Sequence, residues 1–202
     1  VSEMKGPDHS RRKERSRQAI LGAARALVAE APYDKVTVEA IAARAGVGKQ
    51  TIYRRWPSKS AVVLAAVLAL SEHGDGQSIS LPDSGDLEAD LKTVMRATVA
   101  EFADPAFDRL IRAVNAEIVN DADLAAEYHE KLAGPLEEAK RARLRSAQRA
   151  GQLDSAADLD LALAVLYAPL FQRWLHRAGP LTDDYADALV DAMLRAFGPQ
   201  SK

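Results

Sequence analysis

Val36-Thr37-Val38-Glu39-Ala40-Ile41-Ala42-Ala43-Arg44-Ala45-Gly46-Val47-Gly48-Lys49-Gln50-Thr51-Ile52-Tyr53-Arg54-Arg55-Trp56-Pro57-Ser58-Lys59 is the stretch from which the rest of this chain is best read. Thr37 is placed to cap a short helix that turns Val38, Ile41, Ala42 and Ala45 inward. Gly46-Val47-Gly48 then breaks the helical spacing, since glycine accepts the dihedrals of a tight turn. A further short helix, Lys49 to Trp56, buries Ile52 and Trp56, and Pro57-Ser58 stops it. Two short helices about a three-residue turn predict a helix-turn-helix, in which the first helix holds the second against a duplex. The outward set on the second helix suits that role: Lys49, Gln50, Thr51, Tyr53, Arg54 and Arg55. Arginine can grip guanine through two hydrogen bonds, glutamine can do the same for adenine, and threonine can rest on a thymine methyl. The Tyr53 phenol can reach phosphate, and Lys59 with the amides near Ser58 stands at a helix N-terminus that favours phosphate.

Outward from this segment the chain reads as helices throughout. Ile20, Leu21, Ala24, Leu27 and Val28 form one helical face before Ala31-Pro32, and Ser58 can cap a fourth helix carrying Leu64, Val67 and Leu68. Residues 73–86 give the strongest loop signal. A fifth helix is expected near Leu87–Ala103, and a sixth, after Asp104-Pro105, with Phe107, Leu110, Ile111, Val114 and Ile118 inward. A seventh is expected over Leu124–Ala150, bent at Gly134-Pro135, and two more over Asp158–Ala178 and Asp183–Phe197. The expected fold is all-α, with about nine helices and no strand.

Composition narrows the function. Of 202 residues, 48% are hydrophobic and 28% charged, as in a globular chain, and no apolar run approaches the ~20 residues of a membrane span. Cysteine is absent, which excludes disulfides, thiolate metal sites and cysteine nucleophiles. His9, His73, His129 and His176 are scattered without metal-ligand spacing, and no phosphate-binding loop, dinucleotide fingerprint or Gly-x-Ser-x-Gly occurs. Neither an enzyme nor a metal or cofactor is expected, and the polar start, lacking an export signal, points to the cytoplasm. The net charge of −2 hides an asymmetry: residues 1–60 hold 13 Lys/Arg and 6 Asp/Glu, a balance of +7, and the remainder carries −9. A polyanion partner fits the basic part.

The 36–59 stretch resembles the DNA-binding segment of the tetracycline-repressor (TetR) family, and the resemblance extends over roughly residues 15–65. It implies an N-terminal three-helix DNA-binding domain followed by a helical ligand-binding and dimerisation domain. It also implies a homodimeric regulator, mostly of the repressor kind, released from double-stranded operator DNA by a small effector. Thr51, Tyr53 and Lys59 match recurrent DNA-contact positions of the family, and Thr37 matches a phosphate-contact position. Trp56 stands where the family often has phenylalanine, and Arg54-Arg55 where it often has aromatics or histidine, which leaves the base preference open. The expected division is a basic flexible arm over 1–15, the helix-turn-helix domain over 16–60 and the regulatory domain over 61–202. The arm, with Arg11-Arg12-Lys13 and Arg15-Ser16-Arg17, would lie along phosphates or enter the minor groove.

The C-terminal two thirds, notably residues 157–170 and Gly179-Pro180-Leu181-Thr182, resemble the last helices of one branch of the family. Apolar residues cover nearly every side of the penultimate helix, so it is expected to be buried on more than one side. The last helix has one apolar face at Tyr185, Leu189, Met193 and Phe197, and a second through Ala186, Val190 and Leu194. Two helices per protomer would form a four-helix dimer interface, with Leu170, Trp174, Ala186, Val190 and Leu194 as its candidate residues. Half-sites would then fall ~34–36 Å apart or at multiples of that. The expected effector pocket draws on Met95, Phe102, Phe107, Leu110, Val114, Tyr128, Leu132, Tyr167 and Phe171. No cationic cluster stands out there, which favours a neutral or modestly polar molecule. The alternative reading is a helical adaptor that binds protein through its apolar last helices, its basic segment being incidental.

Overall fold

The computed structural model describes residues 7–71 and 80–199. The first six residues of the expected arm, the His9 side chain and residues 73–79 of the expected loop, His73 included, lie outside the described residues. Among the described residues the structure is helical and contains no strand. The helices are α1 (Pro7–Glu30), α2 (Val38–Ala45), α3 (Lys49–Tyr53), α4 (Lys59–Ser71), α5 (Leu87–Ala103), α6 (Pro105–Ile118), α7 (Ala122–Tyr128), α8 (Gly134–Arg149), α9 (Leu159–Leu175) and α10 (Asp183–Phe197). The single helix expected over Leu124–Ala150 is α7 and α8 joined by one wide turn, His129–Ala133. A Cβ at Gly134 would sit tightly there, 3.0 Å from the His129 carbonyl oxygen.

The chain forms two compact units, and their boundaries differ from the division expected at 60/61. Among the described residues the first comprises 7–71 and 105–128, the second 80–104 and 129–199. Two apolar faces in the first unit explain the difference. On α4, Ala61, Val62, Val63, Leu64, Ala66 and Val67 are all buried, and α4 packs on α1 and α6. On α6, Leu110, Ile111, Ala113 and Val114 form one buried stripe, and Arg109 donates to the Ala29 carbonyl near the end of α1. The helix-turn-helix thus rests on α1, which α4 and α6 in turn hold. The expected arm differs too, because α1 is already helical from Pro7.

The second unit has its own core. Leu87, Leu91, Met95 and Val99 of α5 meet Leu144 and Ala147 of α8, Ala162, Leu166 and Leu170 of α9, and Ala186, Leu189, Val190 and Met193 of α10. Asp86, Asp158 and Thr182 cap α5, α9 and α10, each accepting from backbone amides of the first turn. On the outside, Lys92 and Arg96, one turn apart on α5, reach Asp191 and Asp187, one turn apart on α10.

Candidate functional site

Each part of the helix-turn-helix has a local cause. The Thr37 hydroxyl accepts from the Ala40 amide at 3.1 Å and starts α2. Val38, Ile41 and Ala42 are buried against α1, and Arg44 pairs with Glu30 of α1 at 2.7 Å. Gly46 ends α2 at φ 65°, in the left-handed region that glycine enters without strain. Gly48 then caps α3. The recognition helix is shorter than expected: it ends at Tyr53 and not at Trp56. The Arg55 and Trp56 amides both turn back to the Ile52 carbonyl, as suits a residue that precedes proline. Ile52 and Trp56 are buried, so α3 is held from beneath.

The outward set is where the sequence places it. Lys49, Gln50, Tyr53, Arg54 and Arg55 are exposed, Tyr53 at 49%, and Thr51 is half-buried. Lys49 sits 3.6 Å from Glu39, and Arg55 lies over the Trp56 ring at 5.5 Å. Lys59 is more constrained than expected. Its ammonium donates to the Tyr33 carbonyl at 2.9 Å and stands 3.9 Å from the centre of the Tyr33 ring. That uses one N–H of three. Burial, then the neighbouring Glu117 carboxylate, holds the Tyr33 phenol protonated well above its ordinary range. Arg11, Arg12, Lys13 and Arg15 are exposed along α1, with Arg17 paired to Glu14 at 3.3 Å.

The expected effector residues fall into both units. Phe107, Leu110, Val114 and Tyr128 belong to the first, and Met95, Phe102, Leu132, Tyr167 and Phe171 to the second. Met95 is fully buried, and Phe102 and Tyr167 pack against the same core. Trp174 lies between two rings, 4.8 Å from Phe102 and 5.2 Å from Phe171. Two polar features of this unit were not found from sequence. Arg143 is 4% exposed; it donates to Asp90 at 2.8 Å and to the Pro82 carbonyl at 2.8 Å. Asp90 also accepts from the Ser84 amide and hydroxyl. Burial would raise the Asp90 carboxyl, but the Arg143 and Ser84 hydrogen bonds prevail and hold it below its ordinary value. The second feature is Lys140, whose ammonium lies 3.5 Å from the centre of the Tyr167 ring. Its position, four residues from both Leu136 and Leu144, was the available signal.

The proposed dimer residues need correction. Leu170, Trp174, Ala186 and Val190 are buried within the protomer, where α9 packs on α10 and α5 on α10, and Leu194 is half-buried beside them. Both apolar faces of α10 serve this core. The side of α9 left uncovered is instead Leu161 (53% exposed), Ala164, Ala168, Phe171 (38%) and Leu175 (42%). Their alternating spacing of three and four puts them on one stripe of the helix.

Among the described residues no helix is long and apolar enough to cross a membrane. Residues 20–66 match the family described as bacterial regulatory proteins, tetR family, and residues 81–193 match the tetracyclin repressor-like C-terminal domain. The chain is 30% identical to the uncharacterized HTH-type transcriptional regulator YdeS of Bacillus subtilis, over 89% of this chain and 88% of that protein. It is 31% identical to the DNA-binding transcriptional repressor TetR of Mycobacteroides abscessus, over 87% of this chain and 90% of that one. Among solved structures it is similar to the TetR family transcription regulator SCO0332, with a TM-score of 0.71 and 28% identity, over 91% of this chain and 99% of that one.

Proposed function

The chain belongs to the TetR family of helix-turn-helix transcriptional regulators, and on that premise we propose that it is a homodimeric repressor released from a pseudo-palindromic operator by a small effector. The adaptor alternative gives way to a DNA-binding regulator. The observation that carries the reading is α3: Ile52 and Trp56 anchor it, while its outer side offers Lys49, Gln50, Thr51, Tyr53, Arg54 and Arg55. Arg54, Arg55 and Gln50 would read bases. Thr37, Tyr53, Lys49 and Lys59 would meet phosphates, Lys59 with its two uncommitted N–H groups. One such helix reads few base pairs, so two copies are needed to specify a site. The second copy would meet the stripe on α9. The repressor of M. abscessus supports the direction of control, and a triclosan complex of SmeT, another protein of this fold, illustrates a small ligand bound to such a protein.

Selection of bound sequences from random duplex DNA at fixed salt tests this directly. A pseudo-palindrome with half-sites one helical turn apart, or a multiple of it, is expected. Recovery of unrelated sequences without symmetry would overturn the reading. On the selected site, Tyr53→Ala with Arg54→Ala should weaken binding at least about thirtyfold, from ~1 kcal/mol or more per lost base contact in each protomer. Both side chains are exposed, so melting should be unchanged. Lys49→Ala should lower affinity for all sequences and flatten the salt dependence by about 1.8, that is ~0.9 for each of two phosphate contacts.

A further inference from the structure

We propose that the effector taken by the second unit carries an acid group, a carboxylate, and that Lys140 is the residue that holds it. This rests on the reading of the chain as an effector-controlled regulator. Lys140 lies on the inward side of α8, in line with Leu136 and Ala147, and half-buried. A position of this kind ordinarily takes an aliphatic residue. Among the described residues no carboxylate lies within ion-pairing distance of its ammonium, which stands 3.5 Å from the centre of the Tyr167 ring. Glu137, one turn back on α8, acts on it only from a distance. Burial lowers Lys140 to about 8, so the cation is poorly compensated where it stands. A ring face returns only part of what an ammonium loses on leaving water.

Two further groups point the same way. Arg143, one turn along the same side of α8, has its Nη1 buried with no acceptor among the described residues. Its Nε and Nη2 are spent on Pro82 and Asp90. Side chains three residues apart on a helix have their Cβ atoms about 5–6 Å apart, so both cations border one stretch of helix surface. On the facing helix, burial raises the Tyr167 phenol to about 12, which keeps it a hydrogen-bond donor. An ammonium, an unfilled guanidinium N–H and a phenol are three donors, and an ionised carboxylate offers acceptors only. This differs from the expectation of a neutral or modestly polar effector. The signal in the sequence is not a cluster of cations but one lysine and one arginine, Lys140 and Arg143, on an apolar helix face.

The test uses the full chain and matched probes: benzoate with benzamide, phenylacetate with phenylacetamide, decanoate with decanamide. Binding is read by calorimetry and by melting, on the wild type, Lys140→Met and Lys140→Arg. At least one acid should bind about tenfold or more tighter than its amide, the ratio expected for a hydrogen bond to a charged group. The preference should vanish in Lys140→Met and persist in Lys140→Arg. The proposal is overturned if acid and amide bind alike, if the preference survives in Lys140→Met, or if no acid of the set binds. Calorimetry needs no DNA, so failure here is separable from failure to bind an operator.

Discussion

Replacing Arg143 with methionine should destabilise the second unit by about 3–5 kcal/mol, the usual loss when one partner of a buried ion pair is removed. Arg143 and Asp90 are buried together at 2.8 Å. Without the guanidinium, the Asp90 carboxylate keeps only the two Ser84 donors, and the Pro82 carbonyl loses its donor. For a chain of this size the melting midpoint should fall by roughly 10 °C. The double substitution Arg143→Met with Asp90→Leu separates charge from packing, because it removes both ions and leaves apolar volume. It should recover most of the loss. If the double variant melts as low as the single one, the pair matters for shape and not for charge. Acidity should act on the same element. Asp90 is held below its ordinary value in the folded chain, so it binds its proton less readily there than when unfolded. Its contribution is therefore complete above the ordinary carboxylate range and is lost as pH falls through the depressed value. Wild type should lose stability over that acid window more steeply than the double variant, as melting curves across pH would show.

The largest effect on DNA binding is expected from substitutions on α9, outside the unit that carries the recognition helix. Leu161→Glu with Leu175→Glu places two charges on the exposed stripe of α9. Two such charges on each protomer would face like charges across a two-fold contact, and burying them unpaired is costly. The protein should become monomeric in sedimentation while its helical content stays, since both side chains are uncovered in the protomer. Affinity for the selected operator should then fall by about 10²–10⁴-fold, the gain that joining two binding modules ordinarily provides. A dimer that persists in this variant would place the subunit contact elsewhere. A monomer that binds as tightly as wild type would mean that one recognition helix suffices.

Much of the DNA-binding half could be seen in the amino acids because its signals are local. Thr37 caps, Gly46 turns and Ile52 and Trp56 anchor within 20 residues of one another, and each has a single physical reading. The misplacements came where the decision was made at a distance. Ala186, Val190, Leu170 and Trp174 are apolar at helical spacing, and that spacing is the same whether the face meets α5 or a second chain. Only the position of α5 decides, and it is more than 60 residues away in sequence. The stripe on α9 was hidden by the same helix being apolar on nearly all sides. Arg143 and Lys140 were passed over because charge on a helix is ordinarily solvent-facing, and their burial depends on neighbours from α5, α9 and the stretch before α5. The end of α3 was overextended by counting Trp56 as helical for its apolar face, although Pro57 constrains the residue before it.

The grouping of α6 and α7 with α1–α4, while α5 goes with α8–α10, means that the polypeptide passes from one unit to the other three times. A transplant of DNA specificity between relatives therefore cannot be a single splice after α4. The donor would have to supply residues 105–128 as well, or else accept the recipient's α6 against a foreign α1. Chimaeras cut once should express poorly even where both parents are robust, and those exchanged as a discontinuous pair of segments should inherit the donor's operator.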